Sequence, residues 1–242
     1  MASSTATVAA PAHDAHGHDD HHGHDHPPHL KHYFVTSEQQ FEAAKLGMWL
    51  FLVTEILLFG GMFVAYGIFR AWYPELFAEA STQLDTVMGA TNTLVLLLSS
   101  FTVAFAIRGA QTDNQKVLFW NLVATVALAG VFMVIKYFEY THKFDLGIFP
   151  GAAFNPTSDV VNPTEGIFAH PRAGVFFSIY YVMTGIHGFH VLIGMVAISI
   201  LAWKARQGKY TSAWYTPVEN VGLYWHVVDI IWIFLFPLMY LI

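Results

Sequence analysis

The chain has 242 residues, 55% of them hydrophobic, 16% aromatic and only 12% charged, with a formal net charge of −6. Such a composition excludes an ordinary soluble domain and points to a membrane protein. Cysteine is absent, which removes disulfides, thiolate zinc sites, iron–sulfur clusters, covalent c-type haem and thiolate copper centres, so any metal here needs His, Asp or Glu.

Residues 1–40 read as a polar, low-complexity tail. Nine histidines lie between His13 and His32, interleaved with Asp14, Asp19, Asp20 and Asp25. Imidazoles at that density can capture Cu(II), Zn or Ni weakly. Their spacing is irregular and the apolar content low, which also describes a solvated, disordered extension. The opening MASSTATVAAPAHDAHG lacks the basic flank and apolar core of a signal peptide, so insertion is expected to rely on the helices that follow.

Residues 41–242 then read as one membrane domain without internal repeats. Apolar runs at Leu46 to Phe69, Thr86 to Ile107, Val117 to Ile135, Ala173 to Trp203 and Val221 to Ile242 approach or exceed the roughly 20 residues that cross a bilayer as helix. The expected fold is all-α and polytopic, with five transmembrane helices. Glu75, Glu79 and Asp85 lie between the first and second spans, whereas Arg108 and Lys116 follow the second and Lys204, Arg206 and Lys209 follow the fourth. By the positive-inside rule the N-terminus is cytoplasmic and the long Tyr137 to Pro171 connection external. Within that connection, GIFPGAAFNPTSDVVNP is punctuated by Gly and Pro and suits a folded cap or a partner contact.

Polar residues inside the runs are the candidate functional groups. Glu55 lies in the first, within GMWLFLVTEILLFGGMF, where insertion scales make an acid about 2.5 to 3.5 kcal/mol unfavourable. It can exchange a proton, hydrogen-bond another helix, meet trapped water, or be a protonated structural acid. Gly47, Gly60 and Gly61 in the same run suit close helix packing. In the fourth, YYVMTGIHGFHVLIG puts His187 and His190 on one side of a helix, three residues and about 300° apart. Metal ligation would need further donors, and the membrane offers mainly Glu55, His226 and Asp229, so interhelical hydrogen bonding is the stronger reading. The fifth, YWHVVDIIWIFLFPLMY, sets His226, Asp229 and Trp232 at three-residue steps. The first two could satisfy each other, or serve a proton relay or subunit contact.

Three segments in this order, FEAAKLGMWLFLVTEILLFGGMF, YYVMTGIHGFHVLIG and YWHVVDIIWIFLF, strongly resemble subunit III of the haem-copper oxygen reductases, over roughly Phe41 to Ile242. Thr54 and Glu55 match that family's hydroxyl-then-acid pair, Trp225, His226 and Asp229 match its Trp-His and Asp, and KYFEY, with Glu139 and Tyr140, looks like its Glu-Tyr segment. Lys136 stands where the family commonly has Gln, and the first two helices of the seven-helix form are missing, which leaves the five-helix bacterial form.

The resemblance implies an accessory subunit of a proton-pumping terminal oxidase in aerobic respiration, multi-pass in the bacterial inner membrane. No redox centre is expected in this chain, haem and copper lying in partner subunits. Subunit I is the implied main partner, with subunit II, other subunits and phospholipid, and without nucleic acid. In this family subunit III holds lipid between helix groups and supports proton uptake and sustained turnover. Glu55, Glu139, His187 and His190 are the implied polar contacts. Lys204 and Arg206 are candidates to pair with lipid phosphate at headgroup depth, or topology determinants. Glu55 favours cytochrome c as electron donor, because quinol oxidases often carry Asp there. Quinol oxidase and nitric-oxide-reductase-associated subunits are the alternatives within the family, and a proton-coupled transporter using Glu55 is the alternative from another class.

Overall fold

A computed structural model describes residues 34–150, 154–155 and 166–242; the histidine-rich stretch lies outside them. Seven helices occur among the described residues: α1 (Ser37–Trp72), α2 (Pro74–Ser81), α3 (Thr86–Gln111), α4 (Gln115–Asp145), α5 (Gly166–Ala169), α6 (Ala173–Arg206) and α7 (Thr216–Tyr240). The five long ones are each apolar and long enough to cross a membrane. At 1.5 Å per residue they extend for roughly 38 to 54 Å, beyond a hydrocarbon core of about 30 Å.

Side chains just outside the apolar runs set where the helices begin. The Thr36 hydroxyl accepts from the Gln39 N–H, Asp85 from those of Val87 and Met88, and Asn114 from that of Val117. Each satisfies donors that the first turn leaves open. α1 therefore starts at Ser37, inside the stretch read as tail, because the apolar run marks what lies in lipid and the cap marks where helix begins.

Four helices, α3, α4, α6 and α7, form a ring. Buried positions of α3 (Gly89, Asn92, Leu96, Ser99, Val103, Ala106) and α4 (Leu122, Thr125, Ala129, Phe132, Lys136, Glu139, Lys143) alternate in steps of three and four, which keeps one stripe of each helix inward. Gly109 makes the α3–α4 turn possible, since a Cβ there would stand 2.7 Å from the Leu118 nitrogen. Gly194 does the same for α6 against α7, where a Cβ would meet the Trp225 ring at 2.6 Å. Indole N–H groups of α7 close the ring on α3, Trp225 donating to Ser99 at 3.0 Å and Trp232 to Thr93 at 3.1 Å.

α1 lies outside the ring, against α7 and α6. Only Leu52, Phe59 and Tyr66 are buried, one residue every two turns, while Trp49 and Leu57 are 56% and 69% exposed. Lys45 pairs with Glu219 at 3.1 Å at one end, and the Tyr66 hydroxyl donates to the Leu238 carbonyl at the other. α1 and α7 thus run parallel. α2 turns back with Leu76 and Phe77 buried, Phe77 packing edge-on against Tyr66 and Phe176.

Opposite, two loops clasp. The Ser212 N–H donates to Asp113 at 2.7 Å, and the Gln115 amide donates to the Tyr210 carbonyl. The Ser212 hydroxyl and N–H hold the Asp113 carboxyl below its ordinary range, while burial pushes the Tyr210 phenol up to about 12.

Candidate functional site

Glu55 is the acid on α1 that faces the ring. Its Oε2 lies 2.7 Å from His190 Nε2 on α6, with both side chains mostly covered (15% and 13% exposed). His190 Nδ1 sits 2.8 Å from the Ile186 carbonyl, which can only accept, so Nδ1 carries a hydrogen. Nε2 then either accepts from a protonated Glu55 or, as imidazolium, donates to its carboxylate. Either way one proton is shared between α1 and α6. Phe59 packs edge-on over His190 at 5.3 Å, and the Tyr224 hydroxyl donates to its carbonyl at 2.9 Å. Of the roles open to Glu55 from sequence, the geometry provides the hydrogen bond to another helix.

His187 is separated from that pair. It is fully buried, its ring 5.7 Å from Phe132 and 5.1 Å from Trp232. Neither ring nitrogen has a hydrogen-bond partner among the described residues. The two histidines share a side of α6, and the 60° by which three residues miss a full turn puts one inside the ring and one at its α1 edge.

His226 and Asp229 are not brought together either. His226 Nδ1 takes the Ser100 hydroxyl at 2.6 Å, while both oxygens of the buried Asp229 lack a partner among the described residues. Lys204 and Arg206 are exposed in the last turn of α6, where a helix favours cations.

The most connected acid is Glu139, at 3% exposure. Its Oε1 accepts from Tyr180 at 2.7 Å, Tyr240 at 2.6 Å and Lys143 at 3.2 Å, and its Oε2 from Lys136 at 2.9 Å. Lys136 also donates to the Tyr240 hydroxyl at 2.7 Å and stands over Trp232 at 4.6 Å. This closed cluster ties α4, α6 and α7 together and holds two cations against one carboxylate. Among the described residues no three His, Asp or Glu side chains converge as a metal site would need.

A family model described as cytochrome c oxidase subunit III matches residues 157–242. Cytochrome c oxidase subunit 3 of Thermostichus vulcanus is 34% identical over 205 residues, covering 81% of this chain and 86% of the relative. The chain belongs to the cytochrome c oxidase subunit III family. A probable quinol oxidase subunit 3 of Staphylococcus aureus (strain USA300) is similar at 30% identity over 205 residues, 83% of this chain and 90% of that one. Heme-copper oxidase subunit I+III of Aeropyrum pernix matches at 29% over 206 residues, 81% of this chain and 22% of its own length.

Within this subunit III fold, Glu139, Glu55 and His190 are each candidates legible in the sequence, while the pairing of Glu55 with His190 comes from the structure. Lys143, Tyr180, Tyr240 and Asn92 escaped notice. Lys136, Glu139 and Lys143 fall at i, i+3 and i+7, one face of α4, and that spacing was the available signal. Tyr180 and Tyr240 carried none, since aromatic residues are common near membrane boundaries.

Proposed function

We propose that the chain is a non-redox accessory subunit of a proton-pumping terminal oxidase in the bacterial inner membrane, with its N-terminus cytoplasmic. Residues 41–242 are the membrane domain, in contact with subunit II and docked beside the catalytic subunit I, and the haem and copper lie in those partner subunits. The observation that carries this reading is the family membership together with a relative named as a fusion of subunits I and III. A covalent fusion places the two units in one complex in that protein, and separate chains would reproduce the arrangement by docking.

The non-redox reading is supported by the donor set. His190 and His226 are committed to hydrogen bonds, and His187 is enclosed by aromatic rings. The supporting role in proton uptake and stable turnover draws on Glu55 and His190, which hold one exchangeable proton near the chain's surface. Phospholipid binding is supported by two apolar grooves. One, of about 550 Å³, lies between α4 and α6 along Tyr137, Phe144, Phe189 and Leu192. The other, of about 350 Å³, lies between α1 and α7 along Ile56, Phe63, Val227 and Phe234. Lys204 and Arg206, exposed in the last turn of α6, are the residues that would pair with lipid phosphate in this reading.

Cytochrome c is the donor in this reading. Quinol is the second reading, favoured by the Staphylococcus aureus relative. Purification from native membrane, identification of the partners and assay of reduced cytochrome c against quinol decide between them. Isolation without haem-bearing subunits, or specific solute flux by this chain alone, would overturn the oxidase assignment.

A further inference from the structure

Three buried side chains in the ring carry polar atoms that nothing in the fold explains. Both amide atoms of Asn92, both ring nitrogens of His187 and both carboxyl oxygens of Asp229 have no hydrogen-bond partner among the described residues. Their exposures are 0%, 0% and 2%.

These residues come from three different helices and are all buried within the ring. Trp232, Phe132 and His187 pack mutually, with ring centroids 5.0 to 5.7 Å apart. The Trp232 indole donates to Thr93, which brings its buried chain neighbour Asn92 into the same layer from α3. Asp229 lies one turn of α7 below Trp232. The Ser100 hydroxyl, 2.6 Å from His226 Nδ1, also lies beside the Asp229 carboxyl, and Trp225 is bonded to Ser99. On α4 the buried residue one turn below Phe132 is Ala129, whose methyl fills far less of the layer than a Phe or Leu.

In a lipid-embedded ring no bulk solvent reaches such groups, so donors and acceptors must be met internally. Asn92 offers two donors and an acceptor, the neutral imidazole one of each, and a carboxyl group acceptors. Direct bonds among these three do not complete the set, because α3 and α6, which carry Asn92 and His187, stand opposite each other in the ring. Water is the ligand that fits: it donates and accepts, and buried waters typically make about three bonds to otherwise unmet groups. A metal cation is disfavoured by Lys136, whose ammonium stands 4.6 Å from the Trp232 ring.

We propose that the interior of the α3–α4–α6–α7 ring is a water-binding site, in which a short file of internal water molecules links Asn92, His187 and Asp229. The site is separate from the Glu55–His190 contact and from the closed Glu139 cluster, and it holds whichever electron donor the oxidase uses.

Pulsed X-ray radiolysis of the intact oxidase in 18O-enriched water tests it. Hydroxyl radicals made from resident water oxidise the nearest aromatic ring, so Trp232 or Phe132, each 0% exposed, should acquire label in proportion to dose. In Asn92→Leu, which keeps the shape and removes the amide, that label should fall at least about threefold. A dose series in which both rings stay unlabelled while surface tyrosines react would overturn the proposal, as would labelling that Asn92→Leu leaves unchanged. Should that variant fail to assemble, a map of the native complex that resolves ordered water decides. Density bridging these three side chains supports the site, and apolar contact in its place overturns it.

Discussion

His190 on α6 and Glu55 on α1 meet at 2.7 Å, and the Ile186 carbonyl holds the far side of the imidazole. The contact fastens the middle of a helix that buries only three of its side chains. Interhelical hydrogen bonds in membranes contribute about 0.6 to 2 kcal/mol, so Glu55→Ala should loosen α1 by that order while leaving haem content of the complex intact. Glu55→Gln retains a donor for Nε2 and should keep assembly while removing the proton. Proton uptake and enzyme lifetime under turnover are the measurements. Native rates and lifetime in both variants across pH would remove Glu55 from any proton role.

Asp113 joins the two loops at the opposite end of the ring from Glu139, in a left-handed conformation (φ 55°) that Asp tolerates better than most residues. Its carboxyl is held below the ordinary range by Ser212. A depressed pKa stabilises the fold above the unfolded-state value, and the contribution is lost as pH falls through the lowered folded-state value. The melting temperatures of native protein and Asp113→Asn should therefore converge on acidification from about pH 6 to about pH 2.5. A difference that stays constant over that interval would show that the loop clasp does not depend on the charge.

Removing residues 1–32 should leave the complex assembled. The Thr36 cap and the Lys45–Glu219 ion pair that set the start of α1 both lie beyond the cut, and the deleted stretch has no apolar periodicity with which to pack. Co-purification of the truncated chain with haem-bearing subunits is the check, and its loss on truncation would assign the histidine-rich segment a docking role.

The five spans were legible because each is an apolar run of bilayer length, and that signal needs no partner. Helix starts such as Ser37 were less so, since a cap is one hydroxyl outside the run. Glu55 stands out because an acid in lipid is costly, but that cost says nothing about which helix answers it; that His190 is its partner depends on α1 lying against α6. The His226–Asp229 spacing suggested a pair, whereas α3 intervenes with Ser100. Asn92 drew no attention because a single amide in a long apolar helix is unremarkable until its neighbours are known.

Glu139 is the acid whose loss should cost most. It accepts from Lys136, Lys143, Tyr180 and Tyr240 at 2.6 to 3.2 Å, and Glu139→Gln would leave two buried ammonium groups without the carboxylate they are bonded to. Breaking a buried pair in this way costs about 3 to 5 kcal/mol. Lys136→Gln acts in the opposite sense: it removes one of two cations, leaves Lys143 matched one-to-one with Glu139, and supplies an amide N–H for the Tyr240 hydroxyl. Its expected effect is within about 1 kcal/mol of neutral. Adding Lys136→Gln to Glu139→Gln should recover part of the loss, because the double variant buries one cation deprived of its bonded carboxylate where the single buries two. Thermal retention of the chain within the purified complex reads all three. Equal losses in the two single variants would mean that the cluster acts through packing, with charge balance having no part in it.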